Sequence, residues 1–139
     1  MKLIVLKADI SNLELLHRMN RELMEDERYD RPPTDEVLVK RWNDFLTLGR
    51  YGTFLFKSGS DVIGYAVVHL DDDPLYLRHF YICREHRRAG WGTVCFNALL
   101  DKLNTKKIDI EVMSWNKRGM GFWRSLGFTE RCRSLSYGE

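Results

Sequence analysis

The sequence predicts an α/β fold of the α+β kind, in which a mixed, mostly antiparallel central sheet is flanked by helices. Short apolar runs predict strands, and segments whose apolar residues recur every three or four positions predict helices, in the order β-α-α-β-β-β-α-β-α-β. In addition, one predicted helix connects the strands at residues 75–82 and 108–113. Such a crossover is right-handed, so these two strands are expected to lie parallel and adjacent.

The first helix follows a short strand predicted over residues 2–7. Ser11 and Glu14 have the spacing of a capping box, in which two side chains satisfy each other's free backbone N–H groups. The helical pattern gives way around Arg31-Pro-Pro33. The predicted apolar stripe comprises Leu13, Leu16, Met19 and Leu23.

The second helix is expected to begin after Thr34, which is a suitable N-cap. Asp35 and Glu36 follow in the first turn, where the helix dipole favours negative charge. The pattern ends near Gly49. The predicted buried stripe comprises Val37, Leu38, Trp42 and Phe45.

A hairpin and a third long strand come next. Residues 53–57 and 62–70 are strand-like and are separated by the short turn signal Ser58-Gly-Ser-Asp61. A second turn at residues 71–74 leads into the strand at 75–82.

After the glycine-containing segment at residues 87–93, the sequence predicts four more elements in the order helix, strand, helix, strand. The strand is predicted at 108–113, the second helix at 117–126 with Gly127 as its C-cap residue, and the last strand over 128–137. The first of these two helices carries Val94, Leu99, Leu100 and Leu103.

The bulk composition is that of one soluble domain, and we expect a single domain over residues 1–139. With 44% apolar and 30% charged residues, the chain contains no apolar run near the roughly 20 residues that a membrane span needs. Lys7 and Asp9 interrupt the apolar start too early for a signal peptide. We therefore expect a cytoplasmic protein that does not enter the membrane.

Charge and cysteine content exclude several further classes of function. The net charge of +2 is too small to indicate nucleic-acid binding. Cys83, Cys95 and Cys132 form an odd set without C-x-x-C spacing, so neither a disulfide framework nor a cysteine zinc site is indicated. No metal is expected.

The segment Arg87-Arg-Ala-Gly-Trp-Gly-Thr93 stands between a predicted strand and a predicted helix. Free backbone N–H groups and the positive helix end can hold an anion there, and phosphate is the natural guest. Gly90 and Gly92 have no side chain to block its approach, and Arg87 and Arg88 add charge. A tight turn with a solvated basic face is the alternative that this segment leaves open.

Two motifs together resemble the GNAT superfamily of N-acetyltransferases. Arg87-x-x-Gly90-x-Gly92 matches the family's cofactor motif, Q/R-x-x-G-x-G/A. Downstream, Asn116, the aromatic pair Phe122-Trp123 and Gly127-Phe128 match a second family pattern, after an intervening helix and strand. The resemblance is strong from about residue 53 to residue 128 and only topological before that.

The resemblance implies direct transfer of acetyl from acetyl-CoA to a primary amine of a small molecule or peptide. The sheet is then expected to splay open between the strands ending at Ile82 and Met113, with the pantetheine arm in the gap. The backbone of Phe80 to Ile82 would polarise the acetyl carbonyl. Asn116 would contact the pantetheine arm, cap the last helix, or do both. The implied cofactor-binding set comprises Phe80, Tyr81, Ile82, Arg87, Arg88, Ala89, Gly90, Trp91, Gly92, Thr93, Asn116 and Trp123.

The chain departs from the family at the proton donor. Trp123 stands where many members have a tyrosine thought to protonate the leaving thiolate, and indole does not exchange a proton near neutral pH. Trp123 is therefore expected to pack against the cofactor or the core. Tyr81 is the predicted substitute acid, beside Tyr137 and Ser114, and a structural role is the alternative for each of the three.

The usual base is missing as well, because Tyr76 occupies the strand position where some members have a glutamate. The acceptor ammonium must still lose a proton before it can attack. Glu27, in the acidic run that follows the first helix, is the predicted base, with a solvated acidic turn as the alternative. His79 is a second candidate, but strict alternation along the strand puts it on the face opposite to Tyr76 and favours a core histidine.

Two other functions stay open. The missing tyrosine and glutamate favour a CoA- or phosphate-binding module with impaired catalysis. RNA binding through the basic residues 84–88 lacks interleaved aromatic residues for base stacking, so no nucleic acid is expected. The acceptor amine is not identified by the sequence, and a homodimer remains open.

Overall fold

A five-stranded sheet runs through the protein in a computed structural model, which describes residues 2–138. The strands are β1 (Ile4–Lys7), β2 (Tyr51–Ser58), β3 (Asp61–His69), β4 (Leu75–Ile82) and β5 (Ile108–Asp109). The α-helices within the described residues are α1 (Leu13–Asp26), α2 (Asp35–Thr47), α3 (Trp91–Leu103) and α4 (Lys117–Ser125). Over this part of the chain, no helix has the length and apolar character needed to span a membrane.

The strands follow one another across the sheet in chain order. β1 to β4 pair antiparallel, and Ser58 pairs with Asp61 across the predicted hairpin turn. β4 and β5 are parallel, as predicted, but only Leu75 and Tyr76 pair with β5. The sheet therefore opens between these two strands beyond Tyr76, which confirms the mixed sheet with a splayed parallel pair.

Each face of the sheet has its own apolar core. On one face, α1 and α2 cover a cluster that includes Leu16, Trp42, Tyr65 and Tyr81. On the other face, α3 covers a cluster that includes Phe56, Val68, Leu77, Phe96 and Leu99, and Trp123 of α4 packs against it. The sheet with its two helical layers forms the frame in which the β4–β5 gap is held open.

A β-bulge in β4 changes which residues share a face. Val67 pairs with His79 whereas Val68 pairs with Leu77, so Arg78 is an extra residue in the strand. The prediction that His79 and Tyr76 lie on opposite faces is therefore wrong. Tyr76 contacts His69 and His79 contacts Trp42, which places both on the face covered by α1 and α2.

The helix starts agree with the sequence at α2 and differ at α1. The Thr34 hydroxyl accepts a hydrogen bond from the Val37 N–H at 3.3 Å, as expected of an N-cap. The predicted capping box of Ser11 and Glu14 is wrong, because Asp9 and Asn12 form one around a preceding 3₁₀ turn over residues 10–12. Val37 was predicted to be buried but is 48% exposed, since its side chain lies outside the stripe of α2 that meets the core.

The C-terminal strands are shorter than predicted. Within the predicted strand at 108–113, only Ile108–Asp109 pairs with a neighbour, because β4 turns away beyond Tyr76. Residues 128–137 form no strand; Leu135 and Tyr137 are exposed. An ion pair of 2.7 Å joins Arg131 to Asp109 and is an anchor of this segment beside β5.

Candidate functional site

A cavity of about 810 Å³ opens where β4 and β5 separate. Its walls are the end of α1, the second half of β4, the segment at 87–93 and the stretch at 110–123. All the residues predicted to bind the cofactor line this cavity except Ala89. The two predicted catalytic residues, Glu27 and Tyr81, also line the cavity. The fold therefore brings together residues that lie far apart in the sequence.

The edge of β4 that faces the cavity carries free backbone groups. The Cys83 N–H donates to Ile63 of β3 at 2.8 Å, and successive N–H groups of a strand point to opposite sides. The N–H groups of Phe80 and Ile82 therefore point away from β3, into the gap. A carbonyl or amide placed along this edge could form β-like hydrogen bonds with them.

The segment at 87–93 ends in the first turn of α3. Gly90 is the N-cap residue and has φ +83°, a left-handed conformation that glycine adopts without cost. The N–H groups of Trp91, Gly92 and Thr93 belong to the first helical turn and have no carbonyl partner within the helix. These residues line the cavity, so this end of it is suited to an anion.

Gly92 is required for a second reason. A Cβ atom at this position would lie 3.0 Å from the ring of Phe122 in α4. The missing side chain therefore allows α3 and α4 to pack closely, in addition to leaving space in the cavity.

The two arginines of the motif differ in their surroundings. Arg87 does not direct a free charge at the cavity: its Nε donates to the carbonyl of Ile82 at 2.8 Å, and its Nη2 lies 2.6 Å from Asp26. Arg84 lies 3.1 Å from the same carboxylate. Arg88 has no ion pair among residues 2–138 and lines the cavity. Arg87 thus connects the loop to the end of α1, and of the two arginines Arg88 is the one whose charge is available to a ligand.

Asn116 caps α4 and lines the cavity at the same time. Its Oδ1 accepts a hydrogen bond from the Gly119 N–H at 2.9 Å. A Cβ atom at Gly119 would lie 2.4 Å from Asn116 Nδ2, so glycine is needed there to leave the amide in place. With Oδ1 engaged in the cap, Nδ2 is the group that can donate to a ligand.

Trp123 packs among aromatic rings, as the sequence predicts. Its ring centroid lies 4.9 Å from Phe122, 5.3 Å from Phe80, 5.3 Å from Phe128 and 5.7 Å from Phe96. The indole forms part of the cavity wall and joins α4 to the core behind β4.

If the chain transfers acetyl from acetyl-CoA, as the resemblance implies, replacing Trp123 by Phe is expected to keep kcat within about tenfold. General acid catalysis contributes about 10² to 10⁴, and the substitution removes no such group. Steady-state kinetics and acetyl-CoA affinity measure the effect, and Trp123→Tyr, which restores a proton donor, is the matched variant. A fall in kcat of more than about a hundredfold in Trp123→Phe, with acetyl-CoA affinity intact, would contradict a role in packing alone.

Among the acidic residues 25–27, Glu27 lines the cavity and forms no ion pair with an arginine or lysine of the described residues. Asp26 and Glu25 both pair with Arg84, whereas Glu27 has no ion pair among the described residues. Burial, and then the charge of Asp26, raise the pKa of the Glu27 carboxyl. A carboxylate with a raised pKa is a better proton acceptor than an ordinary surface glutamate.

The Tyr81 side chain lies in the core, under the guanidinium of Arg87. Its ring centroid is 5.2 Å from Arg87 Cζ, and its hydroxyl is buried without a hydrogen-bond partner among the described residues. Burial, followed by the charge of Glu22, raises the pKa of this hydroxyl. This arrangement favours a backbone contribution from Tyr81 over a role as proton donor.

The buried cysteines are unsuited to carry an acyl group. Burial raises the pKa of Cys95 to about 12, and burial with the charge of Glu85 raises the pKa of Cys83 to about 11. Since the thiolate is the nucleophile, both thiols are inert near neutral pH.

Several residues of the cavity were not predicted from the sequence. Arg28 stands over the ring of Trp115 at 5.2 Å, and Glu111 accepts a hydrogen bond from the Tyr76 hydroxyl at 3.2 Å. Asn20 of α1, which does not line the cavity, is buried, and its Oδ1 accepts a hydrogen bond from the Tyr65 hydroxyl at 3.4 Å. Its position within the apolar stripe of α1 was the signal that could have marked it, because an amide there needs a partner.

Comparisons with known proteins concern the family and the fold of the chain. A model of the acetyltransferase (GNAT) family matches residues 16–128. A possible acetyltransferase from Clostridium difficile 630 is 17% identical, with a TM-score of 0.82 over 100% of this chain and 98% of that chain. No curated protein sequence matches the chain.

Two further solved structures hold cofactor-related molecules. A predicted acetyltransferase of Clostridium acetobutylicum, solved with acetyl-CoA, is 18% identical, with a TM-score of 0.75 over 99% of this chain and 96% of that chain. AAC(6')-Iy, in complex with the bisubstrate analog CoA-S-monomethyl-acetylneamine, is 15% identical, with a TM-score of 0.78 over 100% and 99% of the two chains. At these identities the likeness shows a common fold.

Proposed function

Because the chain belongs to the GNAT family of acetyltransferases, we propose that it transfers an acetyl group from acetyl-CoA directly to a primary amine of a small molecule or peptide. The observation that carries the proposal is the cavity between β4 and β5, which is lined both by the anion-binding turn before α3 and by Glu27. One sheet connects the elements on both sides of this cavity, which supports a single catalytic domain.

In this proposal the turn before α3 holds the pyrophosphate of acetyl-CoA. The backbone N–H groups of residues 91–93 and the side chain of Arg88 face the phosphates. The pantetheine arm follows the free edge of β4, where Phe80 and Ile82 present their N–H groups. Asn116 Nδ2 approaches the arm from the opposite wall, and Trp123 forms the apolar floor.

The chemistry is attack of a neutral amine on the thioester carbonyl. Glu27 takes the proton that the amine must lose, and a backbone N–H of β4 stabilises the negative charge that develops on the carbonyl oxygen. The departing thiol has a pKa of roughly 8.5 by analogy with cysteine, so it can leave as the thiolate without a strong acid. Neither Trp123 nor the Tyr81 hydroxyl is then needed as a donor.

A thiol-release screen tests the activity. Acetyl-CoA is supplied with a panel of amines that contains amino acids, polyamines, aminoglycosides and peptides with free N-termini. Amine-dependent release of CoA is expected for at least one class. Tight binding of acetyl-CoA with no release across the panel would contradict the proposed transfer and favour a CoA-binding module with impaired catalysis.

Acetyl-CoA is also expected to stabilise the protein against unfolding. A ligand bound only by the native state adds about 2.7 kcal/mol at a hundredfold excess over Kd, which corresponds to a rise in Tm of roughly 5–15 °C for a domain of this size. Differential scanning fluorimetry with acetyl-CoA, CoA and adenosine as a control measures the shift. An unchanged Tm with saturating acetyl-CoA would overturn the cofactor assignment.

A further inference from the structure

His79 reaches the cavity from the bulge of β4 and is held from behind. Its Nδ1 lies 3.0 Å from the hydroxyl oxygen of Tyr65, a fully buried residue of β3. The imidazole also contacts the rings of Trp42 and Phe45, with centroids 5.9 Å and 5.8 Å away. The orientation of the ring is therefore fixed by packing and by one hydrogen bond.

A second contact of the Tyr65 hydroxyl favours one tautomer of His79. The Tyr65 hydroxyl donates to Oδ1 of Asn20 at 3.4 Å. A phenol has one proton, and when Tyr65 donates it to Asn20 the contact between Tyr65 and His79 uses a proton from the imidazole. Nδ1 is then the protonated nitrogen, and Nε2 carries a lone pair.

The lone pair of Nε2 faces the cavity. His79 lines the cavity wall, and its Nε2 has no hydrogen-bond partner among the described residues. The Nε2 atom of His79 is not enclosed by protein. By contrast, Nδ1 of His17 and Nε2 of His69 are buried without a hydrogen-bond partner. A histidine with a purely structural role would have this nitrogen paired or enclosed.

The surroundings of His79 favour the neutral imidazole. Burial lowers its pKa to about 3, and the charges of Arg78, Arg41 and His69 act in the same direction. A neutral imidazole can accept a hydrogen bond from an amine, whereas an imidazolium would repel the ammonium form of the substrate.

We propose that His79 Nε2 accepts a hydrogen bond from the acceptor nitrogen and thereby selects primary amines. The inference rests on the proposed acetyl transfer. A primary amine has two N–H groups and a lone pair: one N–H donates to His79, the other to Glu27, and the lone pair points at the thioester. Glu27 and His79 both line the cavity in which the acceptor amine is proposed to bind.

A secondary amine cannot satisfy both acceptors. It has a single N–H, so either His79 or Glu27 remains without a donor in the reactive complex. Asn20 and Tyr65 are positioning residues in this scheme, because they act on the substrate only through the tautomer of His79.

Two substitutions of His79 separate a role in the cavity from a role in folding. In His79→Asn the amide can replace Nδ1 and keep the contact with Tyr65, but nothing replaces Nε2. In His79→Gln the longer side chain places an acceptor near the position of Nε2. Each variant is assayed with the best primary amine of the screen and with its N-methyl derivative, and acetyl-CoA affinity is measured by calorimetry.

The wild-type protein is expected to prefer the primary amine over its N-methyl derivative by about tenfold or more, the effect of one unmade hydrogen bond. His79→Asn is expected to lose about tenfold in kcat/KM for the primary amine and to lose most of this preference, with acetyl-CoA affinity within about twofold. His79→Gln is expected to keep most of the kcat/KM for the primary amine and most of the preference over the N-methyl derivative. A His79→Asn variant that retains the full preference would overturn the inference while the proposed transfer stands.

The tautomer is tested without substrate by ¹⁵N NMR of the imidazole. Protonated Nδ1 and unprotonated Nε2 are expected from pH 5 to 8 in the wild type, and a mixture of tautomers is expected in Tyr65→Phe. Protonated Nε2 in the wild type would overturn the inference. Failure of the wild type to release CoA with any amine would overturn the proposed function, and this inference with it.

Discussion

Glu27→Gln is expected to lower kcat by about 10² to 10⁴, the usual contribution of a general base, while acetyl-CoA affinity stays unchanged. The amide has the size of the carboxylate but cannot take a proton. Steady-state kinetics at saturating acetyl-CoA measure the effect. Glu25→Gln is the matched control, because Glu25 lies two residues before Glu27, pairs with Arg84 and does not line the cavity.

The pH profile gives an independent test of the same residue. A base works in its deprotonated form, so kcat is expected to rise with pH as Glu27 loses its proton. Because the pKa of Glu27 is raised, this rise should be centred above the ordinary range for glutamate. If kcat of Glu27→Gln rises with pH over the same range as kcat of the wild type, Glu27 is not the base. A kcat of Glu27→Gln within tenfold of the wild-type value would exclude it as well.

Gly90→Val is expected to weaken acetyl-CoA binding by about a hundredfold or more. The backbone at Gly90 has φ +83°, which a β-branched residue adopts at a cost, and the new side chain would occupy the phosphate end of the cavity. Loss of one or two hydrogen bonds to a charged group, at about 1.5–3 kcal/mol each, accounts for a change of this size. Isothermal titration calorimetry with acetyl-CoA and CoA gives the affinities.

A second glycine separates backbone strain from blockage of the cavity. Gly59, in the β2–β3 turn, also has a positive φ, +61°, and a Cβ there would meet no atom within 4 Å. Gly59→Val should therefore lower Tm without changing acetyl-CoA affinity. Equal affinity in folded Gly90→Val and wild-type protein would mean that the phosphates bind elsewhere.

Local signals in the sequence predicted the frame of the site well. The cap at Thr34, the hairpin turn at residues 58–61 and the glycine turn before α3 depend on residues close in the chain, and the structure contains all three. The parallel strand pair followed from the handedness of crossovers, which is independent of sequence detail.

Features that depend on distant partners were not predictable. The bulge at Arg78 arises from the register between β3 and β4, and it reverses the face expected for His79. The charge of Arg87 is engaged by Asp26, which is 61 positions away. The predicted strand at 128–137 has strand-like composition, but no neighbouring strand pairs with it in the structure. Each of these features depends on whether residues far apart in the sequence meet in the fold, and a short stretch of sequence does not contain that information.

The ion pairs of Asp26 bear on how the choice of acceptor amine could be changed by mutation. Residues 27–33 form a connection that is fixed at one end by Arg84 and Arg87, through Asp26, and at the other by the cap of Thr34 on α2. Glu27 and Arg28 of this connection line the cavity, so replacing its interior by segments of other length or charge is expected to change which amines are accepted and to leave the phosphate-binding turn in place. Libraries confined to residues 28–33 would explore new acceptors without disturbing cofactor use.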